Sequence, residues 1–552
     1  MNTPDTGAPT PLHRDPQSQS RRWTGWASVL GGGFLAGIGA AFAMLLVMSV
    51  LRRVFGIPSV AELIGDRFIP TLSLDQFFQL IDRFGGGNGI KRVGISSVLV
   101  GQVVVGTLAG VVYAAVVERG ERGRRSASQT SGRFGVSRRG WIFVATLVGV
   151  AWILSIALLW PVLGTSYRGL PPTRAAFATA FGILLAYVSY GLILPTFYRL
   201  MTHREVTPAP ADDSTLIGRR AVLVAGAGAG LAIASGGLIR NMYDRSTLHY
   251  DGTRYLGENL EPITPNDEFY TVTKNILDPD ITQSVWQLQI RGLVERPRGY
   301  SLSDLQGLEA VEQETTLSCI SNGVGDGLIS NAVWTGVPLH QLLEAAGMRD
   351  GIVDVAFQAA DNYVDTIPIE KALDPTTFVA WRMNGESIPK RHGYPVRILV
   401  PGRFGEKSVK WVTRITLLDH AEKGFYARQG WGPTFTINTL ARFDAPRSRS
   451  TAQVGGEPVL LKGVAFAGDR GVERVEVSTD DGETWQEATL DYQSSRIAWV
   501  MWSLDWQPEA EGEHKLIVRA VDGTGETQTE QRRGIVPDGA TGWHRLTVNV
   551  TA

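Results

Sequence analysis

Five stretches in the first 240 residues carry no Asp, Glu, Lys or Arg: Trp26–Leu51, Val93–Val117, Gly140–Ser166, Ala175–Tyr198 and Ala221–Ile239. Roughly 20 helical residues cross about 30 Å of hydrocarbon, so each is long enough to span a bilayer. In lipid every backbone polar group must be satisfied internally, which leaves these segments the choice of helix. The fifth is glycine-rich and only weakly hydrophobic. Acidic residues concentrate after Asp251, so a membrane half is followed by a soluble half within 552 residues.

Orientation follows from basic connectors. Arg119, Arg122, Arg124, Arg125, Arg133, Arg138 and Arg139 lie between spans two and three. Arg199, Arg204, Arg219 and Arg220 lie before span five, and Arg14, Arg21 and Arg22 near the start. All fall on one side if the N-terminal tail is cytoplasmic, and five crossings then place everything after Arg240 outside. Arg52, Arg53, Arg83, Lys91 and Arg92 run against this assignment. The connector Val54–Phe84 mixes apolar residues with Glu62, Asp66, Asp75 and Asp82, and reads either as a surface amphipathic helix or as a packed loop. No histidine lies in a span, which argues against a bis-histidine haem. The lack of charged groups at mid-membrane disfavours a transporter. A scaffold or docking role remains.

The segment from Arg219-Arg220 to Gly230 fails as a dinucleotide fingerprint, because the third glycine position is Leu231 and no βαβ unit follows. It reads as a membrane anchor or, preferably, as an internal twin-arginine export signal, retained after export.

Cys319 is the only cysteine, so neither an internal disulfide nor a multi-cysteine metal site is possible. It can be a nucleophile, a metal ligand or core. Around it recur Pro265-Asn266-Asp267-Glu268-Phe269-Tyr270, Lys274-Asn275, Asn331, Trp334-Thr335-Gly336-Val337-Pro338-Leu339, Asp361, His392-Gly393-Tyr394-Pro395-Val396-Arg397 and Lys407-Ser408-Val409-Lys410-Trp411. Basic side chains beside a serine suit a phosphate, and several hydrogen-bonding groups suit a heteroaromatic ring. Strands are expected at Trp286–Ile290, Val353–Gln358, Val396–Val400 and Val412–Leu417, with helices at Leu302–Leu308 and Leu339–Ala346. A net charge of -1 gives no reason to expect nucleic acid.

From about Pro265 onward this ordering resembles the sulfite oxidase family of molybdopterin-dependent oxidoreductases, and the front end resembles a membrane-anchored bacterial branch. The resemblance implies oxygen-atom transfer with a molybdenum–molybdopterin cofactor and no haem. Cys319 would be the thiolate on the metal. Val272, Thr273, Lys274, Asn275 and Ile276 would contact the pterin, and Asp361, His392, Arg397, Ser408, Val409 and Lys410 would complete its pocket. Lys274 and Trp431 would face the substrate.

Departures from the sulfite-oxidising pattern surround that pocket. Lys274 stands for an arginine, Ile276 for a histidine, Gly323 and Val324 where a basic residue is usual, and Trp431 for a tyrosine. Lysine lacks the bidentate fork that grips an oxyanion, so sulfite is disfavoured and a neutral sulfoxide or N-oxide gains.

From about Ile437, alternating runs at Val459–Val464, Val472–Val477, Ala498–Ser503 and His514–Ala520 read as an immunoglobulin-like β-sandwich. Asp480-Asp481-Gly482 reads as a hairpin turn in preference to a calcium site. The run Val472–Trp485 resembles the family's dimerisation domain, which implies a homodimer. The expected layout is a tail at 1–25, four transmembrane helices at 26–200, a linker and fifth segment at 201–240, a mixed α+β molybdopterin domain at 241–436 and the sandwich at 437–552. Electrons would pass to or from a separate protein or a quinone. The competing reading is a membrane binding or sensory protein on the same fold without its chemistry.

Overall fold

The computed structural model describes residues 16–125, 137–202 and 219–552; side chains of 16–28, 120–125 and 219–225 are also outside the description. The tail arginines and Arg122, Arg124, Arg125, Arg133, Arg204, Arg219 and Arg220 therefore lie outside the described side chains.

Two compact units divide the chain. The first, Met1–Val50, Ile95–Leu158 and Phe181–Asn241, holds the bulk of five helices: α1 (Pro16–Val50), α4 (Gly87–Arg125), α5 (Arg138–Leu159), α6 (Pro172–Thr202) and α7 (Arg219–Asp244). Four of them contain stretches long and apolar enough to cross a membrane: Val29–Phe55, Gly87–Arg119, Arg138–Val162 and Pro172–Thr202. The glycine-rich α7 is not among these four. Gly33 and Gly37 of α1 meet Gly106 and Gly110 of α4 at backbone distance. A Cβ on Gly110 would fall 2.4 Å from the Gly33 carbonyl oxygen, the small-residue crossing that membrane helices favour.

The second unit joins Leu51–Gly94 and Leu159–Ala180 to Met242–Ala552. The connector is neither a lipid-surface helix alone nor a loop. It folds as α2 (Val60–Phe68) and α3 (Leu74–Phe84), each begun by a capping box, Ser59 with Glu62 and Ser73 with Gln76. Glu62 also pairs with Arg52 at 2.9 Å, and Arg52 donates to the Leu277 carbonyl. Lys91 pairs with Asp251 at 2.6 Å. Two of the basic residues that run against the orientation rule, Arg52 and Lys91, are thus held by carboxylates within this unit.

The mixed α+β part contains two sheets. One runs Arg298–Tyr300, Leu288–Gly292, Val412–Leu418, Asp354–Ala359, Val364–Pro368, with a parallel pairing of Ile290 to Ile415. The other pairs Val311–Ser318, Ile329–Pro338, Phe378–Met383 and Glu386–Ser387, with Arg397–Leu399 added beside Phe378–Met383. Short helices Leu302–Gln306 and Leu339–Ala346 lie close to their expected places. Strands from Leu440 onward form a four-stranded and a five-stranded sheet, whose core includes Leu461, Val475, Trp502 and Val518. Asp481 and Gly482 have positive φ, and Asp480 accepts from Thr484 while Asp481 pairs with Lys515. These carboxylates close a hairpin turn.

Candidate active site

The chain reverses between Val311–Ser318 and Ile329–Pro338, with Ser318 opposite Ile329, and Cys319 opens the connecting loop. Its amide donates to the Leu328 carbonyl (2.9 Å), and the Asn322 side chain accepts from Leu328 (2.9 Å). The thiol receives only a long contact from the Ser321 amide, at 3.4 Å. Burial, with Glu406 adding to it, pushes the thiol up to about 12. Without a cation beside it the sulfur keeps its proton; a bound metal would reverse that.

Cys319 lies in the wall of a cavity of about 310 Å³ within the second unit. The same wall holds Val272, Thr273, Lys274, Asp361, His392, Arg397, Ser408, Val409, Lys410 and Trp431. Strand ends and tight turns bring them there. Asn275 stands behind the wall and donates to Asp361 (2.8 Å), and the Ile276 carbonyl accepts from the Thr247 amide (2.8 Å). Asn331 is structural: it accepts from Thr316 and donates to Glu314 and the Pro262 carbonyl. Gly323 and Val324 line a separate small cleft against the sandwich.

On the cationic side of the cavity Arg397 is buried with no carboxylate partner among the described residues, whereas Lys410 feels the carboxylates of Asp278, Asp361 and Asp251. Arg397 donates to the carbonyls of His392 and Ser408 at 3.0 and 3.1 Å, while its Nε has no partner. Lys410 donates to the Arg391 and Val272 carbonyls. Burial lowers both groups, Arg397 to about 10. Among the described residues their hydrogen-bond partners are backbone carbonyls. A buried cation without an acid partner is costly and wants an anion. His392 is held neutral, well below its usual range, by burial and by Lys410 and Arg397. Its Nε2 donates to the Asn266 carbonyl at 2.8 Å, which leaves Nδ1 as an acceptor.

Lys274 differs. It pairs with Asp66 of α2 at 2.6 Å and donates to the Asp361 carbonyl at 2.9 Å. Asp66, Glu406, Tyr426 and the rings of Phe77 and Phe78 are the participants that sequence reasoning missed. Phe77, Phe78 and Ile81 line the cavity from the connector, and Ile90 from the start of α4.

Residues 275–426 match the oxidoreductase molybdopterin binding domain, and residues 435–551 the Mo-co oxidoreductase dimerisation domain. The chain carries a sulfite oxidase-type molybdopterin domain. Mitochondrial sulfite oxidase of Mus musculus is 32% identical over 344 residues, covering 52% of this chain and 62% of that protein. The NADH nitrate reductase of Cichorium intybus is 30% identical, over 49% of this chain and 36% of its own. The solved sulfane dehydrogenase SoxCD of Paracoccus pantotrophus is 26% identical over 55% of this chain and 91% of that one, with a TM-score of 0.46. The chain spans less than two thirds of the length of the sulfite oxidases it matches. None of these matches bears on the export-signal expectation.

The molybdopterin domain's residues fit the cofactor. Arg397, without a carboxylate partner among the described residues, and Lys410 beside it suit a phosphate, and Asp361, Ser408 and the His392 ring offer polar contacts to a heteroaromatic ring. Among the described residues no cluster of three or more His, Cys, Asp or Glu side chains could hold a metal alone. A metal here would rest on Cys319 and on ligands that the cofactor brings. When bound, the group supplies two-electron redox chemistry; the protein orients it and shapes access.

Proposed function

We propose that the chain is a membrane-attached molybdopterin oxidoreductase that transfers an oxygen atom to or from a small neutral substrate, a sulfoxide or N-oxide class being favoured over sulfite. One observation carries this reading: the cavity wall that holds Cys319 also holds the buried Arg397, which has no carboxylate partner among the described residues, and the apolar Phe77, Phe78, Ile81 and Trp431. The guanidinium suits the cofactor's anionic group and the apolar side chains suit an uncharged guest. Cys319 holds the metal. Val272, Thr273, Lys274, Asn275, Ile276, Asp361, His392, Arg397, Ser408, Val409 and Lys410 frame the pterin, and Lys274 and Trp431 face the substrate.

The catalytic part lies outside the cytoplasm. The connectors after spans one and three share a compact unit with Met242–Ala552, whereas the arginine-rich stretch from Arg119 to Arg139 lies between spans two and three. The positive-inside rule puts that stretch in the cytoplasm and the connectors opposite, which makes α7 a crossing helix. The dimerisation domain pairs two copies. Electrons pass to or from a quinone or a separate carrier protein.

The test is turnover by detergent-purified, molybdenum-loaded protein. Dimethyl sulfoxide or trimethylamine N-oxide should oxidise reduced viologen, while sulfite should give little reduction of ferricyanide. Sulfite turnover alone would overturn the neutral-substrate reading, and no molybdenum in protein from a host that makes the cofactor would overturn the enzyme.

A further inference from the structure

A cation in the wall of a buried cavity attracts anions unless something answers its charge. Lys274 is answered. Its Nζ lies 2.6 Å from Asp66 Oδ1 and 3.7 Å from Asp361 Oδ2, and all three side chains are close to fully buried, with Lys274 and Asp66 exposed by 11% and 13%. Burial disfavours the ammonium, yet Asp66 and Asp361 hold Lys274 above its ordinary value. Asp361 is already engaged by Asn275 and by the Tyr363 amide. Asp66 has no such second duty, and its Oδ2 is buried without a partner.

The position of Asp66 is built. It lies one turn after Glu62 on α2, whose start is fixed by the Ser59 capping box and by the Arg52 ion pair. The geometry points to Asp66 as the residue that bars anions from the Cys319 cavity, delivered by the connector between the first two membrane spans. It sets specificity through Lys274 and need not touch the substrate. The inference rests on the neutral-substrate reading and explains it.

Protonation should undo the device. Burial pushes Asp66 up to about 6 against the pull of Lys274, and Asp361, Glu62, Arg52 and Tyr167 are the other charged or titratable groups about it. Below that pH Asp66 loses its charge and Lys274 becomes free to hold an anion.

Sulfate is the probe, titrated calorimetrically into the molybdenum-loaded full chain in detergent. Asp66→Asn should bind sulfate at least about tenfold more tightly than wild type at pH 7.5, about 1.4 kcal/mol. Asp66→Glu should stay weak, and Lys274→Met added to Asp66→Asn should remove the gain. Wild-type affinity should rise as pH falls through 6, while Asp66→Asn should lack that step. Equal sulfate affinity in wild type and Asp66→Asn, or a gain that survives Lys274→Met, overturns the assignment. Efficient sulfite turnover by the wild type sinks the neutral-substrate reading alone, and Asp66 is still judged by the ratio of variant to wild-type affinity.

Discussion

The Phe78 ring stands 5.9 Å from the Trp431 indole, tilted by 57°, so a helix from the connector and the loop beyond the molybdopterin domain's last strand share one wall. Such an aromatic contact contributes about 1 kcal/mol. Phe78→Ala should therefore raise KM for an apolar sulfoxide about fivefold and leave kcat nearly unchanged, because the lost contact is made equally in ground and transition states. Steady-state kinetics over a range of substrate size would show it.

Cys319→Ser replaces a soft ligand with a hard one. Activity should fall at least about 100-fold, an expectation scaled from the losses that attend weaker metal partners. Molybdenum per chain, measured beside pterin content, separates loss of the metal from loss of chemistry. Pterin should persist, since Arg397 and Lys410 remain.

Glu406 has both carboxyl oxygens buried and unpartnered, and burial pushes it up from 4.5 to about 8. The folded chain thus binds more protons than the unfolded one between those values, and stability falls as pH rises through that window. Glu406→Gln removes the dependence. Its Tm should match wild type near pH 4.5 or below, apart from the exchange itself, and exceed it by a few degrees at pH 8.5. Thermal scans of both proteins across that range would settle the sign.

At the α1–α4 crossing, Gly110→Val places a branched side chain where a single Cβ already lies 2.6 Å from Gly37 Cα. The helices must separate, with overpacking worth about 1–3 kcal/mol or more. Lower yield in detergent and a lower Tm are expected, with the molybdopterin content of surviving protein unchanged.

Much of this was legible in the chain because it is local. An uncharged run of helical length announces itself, and the Val459 and Val472 strands alternate in a way that only a half-buried sheet explains. The resemblance to the sulfite oxidase family pointed to Cys319, His392 and Arg397, and the fold brings all three to one cavity wall. Asp66 could not be found in this way, because its meaning depends on Lys274, 208 residues away. In sequence it is one more acid on an amphipathic helix. Glu406 sits between Gly405 and Lys407, where an acid normally signals a solvated turn; only the fold shows that Tyr363, Tyr426 and the Asp365–Lys407 pair enclose it.

The pairing of Lys274 with Asp66 also has a consequence for biogenesis. The roof of the site is synthesised early, as part of the connector after the first span, and its floor only after four further helices. Until Lys274, Cys319 and Lys410 have emerged and folded, Asp66 and Phe78 have nothing to close upon. The order of synthesis thus makes the roof before the floor, so the chamber can close only once the molybdopterin domain has folded, and a chain cut short before Met242 would be a lid with no vessel.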